Sequence, residues 1–159
     1  MLHINLYCVG KVKEQYLRDA IDEYLKRIGK YCSISIIELP DKPTSEKSNS
    51  TLETQIIEAE SNEIINKLNM SSYKIALDLT GKQYTSEEFA EKINKIQLSN
   101  STISFIIGGS LGLSDDLKRI CNEKISFSKM TFPHQLMRVI FLEQLFRSFK
   151  INNNEKYHH

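Results

Sequence analysis

The sequence predicts an α/β fold in which a mostly parallel sheet is flanked by helices. Three observations predict it. Strand-like and helix-like periodicities alternate five times along the chain, the pattern that builds parallel sheets with crossover helices. An apolar run, Phe105-Ile106-Ile107, passes directly into a loop with glycines at 108, 109 and 112, and Ser114-Asp115-Asp116 then opens a helix. No internal repeat or low-complexity tract interrupts the alternation. At 159 residues the chain is long enough for one well-buried domain, and the expectation is a single domain over residues 1–159.

Each element has its own signal. Leu2, Ile4, Leu6 and Cys8 alternate with polar residues as in a strand. Leu17, Ile21, Tyr24 and Ile28 then recur on one helical face, and Gly29 stops that helix. Ile34–Leu39 reads as a second strand, and the Pro- and Ser-rich stretch Pro40–Thr51 as a loop. A weakly amphipathic helix covers about Leu52–Leu68. Tyr73, Ile75, Leu77 and Leu79 alternate in a third strand, after which Gly81 turns the chain. Thr85 and Glu88 form a capping box ahead of Phe89, Ile93 and Ile96. Ile103–Ile107 is the fourth strand, and Ser114 caps a short helix with acids in its first turn. Ile125–Ser128 is a short fifth strand, and Pro133 starts a long helix reaching about Lys150.

Composition narrows the function classes. The formal net charge of +1 announces no global basic field for nucleic acid, although a local patch could still bind phosphate. Cys8, Cys32 and Cys121 form no C-x-x-C pair and read as small apolar residues rather than disulfides or metal ligands. The N-terminus lacks a basic and apolar leader, and no apolar run approaches membrane-spanning length. A soluble cytoplasmic protein without metal or membrane partners is expected.

In parallel sheets ligands sit at the carboxyl ends of strands. That places three candidate loops on one rim: Leu79–Lys82, Gly108–Gly112 and Ser128–Thr131. The glycine loop lacks the Gly-Lys-Ser/Thr ending of a phosphate-cradling loop and the G-x-G-x-x-G order of a dinucleotide site. Two acids follow it directly, so a ligand other than a polyphosphate is expected. In the last helix, Val139-Ile140-Phe141-Leu142 is apolar in every direction and the polar stripe through Gln135, Glu143, Gln144, Arg147 and Ser148 is broken. Such a helix is either buried within the domain or covered by a second copy, and a homodimer is the favoured reading. His134 and Arg138 lie one turn apart directly after the third rim loop, either as a hydrogen-bonded histidine and a snorkelling arginine or as members of a site.

The segments "IIGGSLGL", "SFSKMTFPHQLMRVIFLEQLFRSFKI" and a terminal "YHH" resemble the SPOUT superfamily of methyltransferases, as do "VGKVKEQYLRDAIDEYLKRIGKY", "IELPD" and "LDLTGK". More narrowly they resemble the RlmH family, which methylates N3 of a pseudouridine in helix 69 of bacterial 23S rRNA. The resemblance runs nearly the full length, and its most specific part surrounds Phe132-Pro133-His134 and Arg138.

The resemblance implies a C-terminal trefoil knot, a homodimer, S-adenosyl-L-methionine as cofactor and the ribosome as the setting of the 23S rRNA substrate. Its cofactor contacts fall on Leu77, Gly108, Phe127, Ser128, Lys129, Met130, Thr131 and Phe132. Leu77 would pack on adenine and main-chain groups of 127–132 would read its polar edge. Glycines would let backbone approach the ligand closely. The methyl would sit near Tyr157 and His158, which would position or deprotonate the base, with Arg138 holding RNA or supporting the site and His134 a further candidate. N3 of the target ring carries a proton, so a nearby base or a cation stabilising the developing anion would help. His159 stands where the family carries a basic residue. Lys11, Lys13, Lys26, Arg27 and Lys30 are the candidate phosphate contacts. A non-enzymatic ribosome-assembly factor of the same fold, a nucleotide hydrolase and a superfamily enzyme with another RNA target are the alternatives.

Overall fold

The structure, a computed structural model, describes residues 1–43 and 49–157. Strands β1 (His3–Val9), β2 (Ser33–Leu39), β3 (Tyr73–Gln83), β4 (Thr102–Ile107) and β5 (Glu123–Ser126) form one sheet in the order β2-β1-β4-β3-β5. Every neighbouring pair is parallel. The helices are α1 (Gln15–Ile28), α2 (Ser50–Lys67), α3 (Ser86–Gln97), α4 (Asp115–Ile120) and α5 (His134–Asn152).

The strand period of two sorts side chains between two cores. Ile4, Leu6 and Cys8 of β1 join Ile103, Phe105 and Ile107 of β4 on the face covered by α1, α3 and α5. Tyr7, Val9, Ala76 and Ile106 face the other way, onto Ile64 of α2 and Leu117 of α4. A sheet buried on both faces needs near-continuous apolar strands, and β4 supplies one, buried from Ile103 to Ile107. Phe105 and Phe141 are both fully buried, with ring centroids 4.6 Å apart. Each contributes roughly 1.5–3 kcal/mol of burial. The Thr85–Glu88 capping box is formed in both directions, and Ser114 accepts from the Leu117 amide.

Several boundaries differ from the sequence reading. Asn49 caps α2, accepting from the Leu52 amide, so the helix starts inside the stretch read as loop; residues 44–48 of that stretch lie outside the described residues. β5 ends at Ser126, which frees Phe127 and Ser128 for the rim. Pro133 caps α5 from outside rather than filling its first position. Gly81 does not end β3. Leu77 and Lys82 both pair with Ile125, so residues 78–81 leave the ladder and return to it. A Cβ at Gly81 would lie 2.6 Å from the backbone of Lys124 and Ile125, so only glycine lets the chain come back this closely. Leu79, expected in the strand alternation, rides on this excursion and is 53% exposed.

The breadth of apolar surface on α5 has an explanation within one chain. α5 packs against both α1 and α3, burying Phe141, Leu142, Leu145, Phe146 and Phe149, while Leu136, Met137 and Val139 are half-buried against the same core. Cys8 and Cys32 are buried free thiols, and burial pushes both up to about 12. Cys121 is a half-buried free thiol that burial raises to about 11. All three stay protonated at neutral pH. No helix among the described residues is long and apolar enough to cross a membrane.

Candidate active site

The three rim loops close around one cavity of about 700 Å³, within the size range of small-molecule sites. Leu77 to Thr80, Gly108 to Leu113, Phe127, Ser128, Met130 to Phe132 and His134 all contribute to its wall. Its floor is the carboxyl end of the sheet, as the topology requires. Residues 78–80 line it because the β3 excursion pushes them out of the ladder.

The loops are braced from within. Gly112 has φ of 90° and donates to the Gly109 carbonyl at 3.1 Å, closing a tight turn. A Cβ at Gly108 would fall 2.8 Å from the Gly112 carbonyl carbon. The loop's own packing therefore requires glycine at 108, and the residue also lines the cavity. Ser61 of α2 accepts from the Ser114 amide at 2.9 Å and fixes the end of the same loop. In the third loop Ser126 donates to the Ser128 carbonyl, and the Ser128 hydroxyl accepts from the Met130 amide. Asp115 and Asp116, which follow the glycines, are exposed and not part of the wall.

The sequence-predicted cofactor residues divide into two groups. Leu77, Gly108, Phe127, Ser128, Met130, Thr131 and Phe132 line the cavity; Lys129 is exposed and does not. Phe127 also packs edge-on against Phe89, centroids 5.6 Å apart, so it belongs to core and wall at once. Phe127 and Phe132 separate the cavity from a smaller one of about 200 Å³ beneath α3 and α5.

The three described catalytic candidates, His134, Arg138 and Tyr157, do not line one common cavity. His134 is on the cavity wall, and its imidazole is held below the ordinary value by burial first, then by Arg138 and Lys13, against an opposing pull from Asp41. Arg138 does not line the cavity. It is 1% exposed, pairs with Glu38 at 2.6 Å and donates to the carbonyls of Val9 at 3.2 Å and Gly10 at 2.6 Å, tying α5 to the end of β1. Its Nε is buried without a partner. Tyr157 stacks edge-on against Phe146, donates to Glu143 at 2.6 Å and lies beneath the Arg147 guanidinium. Burial and the Glu143 carboxylate push its phenol up to about 12. Glu143 lies nine residues along α5 from His134, about 13 Å at 1.5 Å per residue. His158 lies outside the described residues.

Sequence reasoning missed Asp78 and Lys118, which also line the cavity. Asp78 stood inside the segment "LDLTGK", but its exposure to the cavity depends on the excursion, which pairing with β5 creates.

The fold is similar to that of a Legionella pneumophila methyltransferase structure in complex with its bound cofactor SAM. The TM-score is 0.50 at 12% identity, and the match covers 91% of this chain and 65% of that one. The family profile described as "Predicted SPOUT methyltransferase" matches residues 2–158. The chain belongs to the SPOUT methyltransferase family. Relatives within it include "Ribosomal RNA large subunit methyltransferase H" of Clostridium acetobutylicum, 49% identical over 99% of both chains. The protein of that name from Bifidobacterium animalis subsp. lactis is 50% identical over the same shares. As a SPOUT methyltransferase the chain is an enzyme whose methyl donor is S-adenosyl-L-methionine. The cavity fits that donor: its wall is largely apolar side chains and backbone, carries no phosphate-binding lysine loop and has room for a nucleoside with a thioether tail. Among the described residues no cluster of three or more His, Cys, Asp or Glu is disposed to hold a metal ion.

Proposed function

We infer that this SPOUT enzyme methylates large-subunit ribosomal RNA at N3 of a pseudouridine in helix 69 of 23S rRNA. It acts as a homodimer on the assembled ribosome in the cytoplasm, with residues 1–159 forming one methyltransferase domain knotted near its C-terminus. The observation that carries this reading is full-length similarity at about half identity to proteins named for large-subunit rRNA methylation, in a chain whose rim cavity fits a nucleoside without phosphate.

Within that reading, Leu77 and the half-buried Phe127 and Phe132 sandwich the adenine, and the backbone of Gly108 and of 127–132, including Lys129, supplies its polar contacts. The self-braced loops hold this shape in advance, so little ordering is left to occur on binding. S-adenosylmethionine, when bound, supplies a methyl on an already good leaving group. The protein's remaining task is to align the target nitrogen and take its proton. His134 is the wall group suited to accept the N3 proton, because it is neutral at pH 7.

Arg138 supports His134 from behind by holding α5 to the β1 end. Tyr157 and His158 serve from the tail of the second protomer, because the tail of the same protomer is fastened to Glu143 and Phe146 further along α5. The exposed Leu79 and Met130 at the cavity mouth give that second protomer an apolar seat.

Mass mapping of large-subunit rRNA from cells lacking the protein tests the assignment. One methyl is expected to vanish from a helix 69 pseudouridine and to return with the wild-type chain; an unchanged pattern overturns it.

A further inference from the structure

Among the described residues lining the rim cavity, two carry a full charge at neutral pH, and they carry opposite signs. Lys118 Nζ lies 3.3 Å from Asp78 Oδ1, with side chains 23% and 14% exposed. The other oxygen of Asp78 is held independently, accepting from the Thr80 amide at 3.2 Å and from the Thr80 hydroxyl. The carboxylate therefore keeps its aim when Lys118 moves away. Burial opposes ionisation of Asp78, but Thr80 and Lys118 outweigh it and hold the group below the usual carboxylate range. A partly desolvated ion pair is weak support for a fold, because desolvation offsets most of the attraction. Placed in the wall of an otherwise uncharged cavity, it is suited to a ligand bearing both signs on one carbon.

We propose that Asp78 and Lys118 form the docking pair for the α-amino-acid end of the methyl donor, Asp78 receiving the ammonium and Lys118 the carboxylate as their own ion pair opens. This rests on the cofactor assignment and extends it to the half of the ligand that the adenine-side residues do not address. Exchange of one ion pair for two leaves the wall neutral and gives each ligand charge a charge-assisted partner. It also predicts selectivity: a nucleoside thioether lacking the amino-acid end can form neither ion pair.

Titration calorimetry with three probes tests the pair. S-adenosylhomocysteine carries both charges, decarboxylated S-adenosylmethionine lacks the carboxylate, and 5′-methylthioadenosine lacks both. Asp78→Asn should weaken the first two by about tenfold to a hundredfold and leave the third unchanged. Lys118→Met should weaken S-adenosylhomocysteine alone. Unchanged 5′-methylthioadenosine binding also reports that each variant is folded, and if Asp78→Asn does not fold, Lys118→Met decides alone. Equal losses for all three probes would assign the pair to ribose recognition or to loop structure and overturn the proposal, as would no loss for any. Wild-type protein that binds none of the three would instead sink the cofactor assignment, and wild-type protein that binds all three equally would sink only the docking pair.

Discussion

The two ends of α5 meet their surroundings by opposite means. At its N-terminal end the rim cavity is walled by backbone, apolar side chains and two charges that satisfy each other. Further along, a shallow groove of about 460 Å³ is lined by Lys26, Arg27, Lys30, Lys150 and Lys156, with Phe146 and Tyr157 between them. Its acids answer only part of that charge: Glu23 pairs with Arg27 at 3.0 Å and Glu155 with Lys150 at 2.8 Å. The cavity selects by shape held in place beforehand, whereas the groove attracts by exposed charge. A net charge of +1 conceals the groove completely. On the proposed rRNA reading, the cavity end would hold the methyl donor and the groove would be the place of phosphate attachment.

The largest expected effect breaks the cavity end. Arg138→Met removes the donors to Val9 and Gly10 and leaves Glu38 without its cation. It should cost about 3 kcal/mol in chemical denaturation, discounted because Glu38 is partly exposed. Binding of S-adenosylhomocysteine and RNA should then fall only as far as unfolding explains. Unchanged stability with methylation abolished would place Arg138 at the reacting atoms instead. Next comes Gly81→Ala, whose new methyl has no room against the β5 backbone. A cost of about 1–3 kcal/mol should accompany loss of S-adenosylhomocysteine binding, since residues 78–80 are displaced with it. A normal affinity in this variant would show that the excursion does not shape the site.

The sheet and all five helices were legible in the sequence because period-two and helical patterns are local. So was the rim, since parallel strands put their carboxyl ends on one side. Three things were not. The β3 excursion arises from Leu77 and Lys82 both pairing with one partner, Ile125, more than forty residues further along the chain. The true load on Gly108 comes from Gly112, four residues on but folded back. Arg138 read as a snorkelling arginine or a member of the site, and only the carbonyls at the end of β1, far away in sequence, reveal it as a buried clamp. Tyr157 was placed near the methyl by resemblance alone, and its docking on Glu143 follows from no spacing in the sequence.

A smaller effect sharpens the account of His134. Its folded value is lowered, so the unfolded chain takes up a proton first as pH falls. Its contribution to stability is complete above the ordinary imidazole value of about 6.5 and is lost as pH falls from there through the folded value. Methylation of isolated ribosomal particles should weaken over the same lower window, below the unperturbed imidazole range. His134→Gln should remove the stability part of that pH dependence and slow methylation at every pH. An acid limb of methylation that persists unchanged in His134→Gln would move the proton acceptor elsewhere, with His158 the next candidate.

The smallest effect per residue belongs to the groove. Lys26 and Lys30 are exposed and one turn apart on the α1 side, so Lys26→Ala or Lys30→Ala should leave stability and S-adenosylhomocysteine binding unchanged. Removing one cation that neutralises a phosphate should reduce the slope of log affinity against log salt for ribosomal particles by a little under one. At moderate salt that amounts to about a severalfold weakening, and the double variant should show both increments. The sign distinguishes attachment from catalysis: methylation at saturating particle concentration should be normal, with the deficit confined to low concentrations. If the salt slope stays at the wild-type value in the double variant, the groove does not touch RNA. Attachment would then have to come from Lys11 and Lys13, exposed beyond the end of β1 and beside the cavity end of α5, where the Lys13 amide donates to Gln135 at 2.9 Å. The two ends of the helix would in that case share one task rather than divide two.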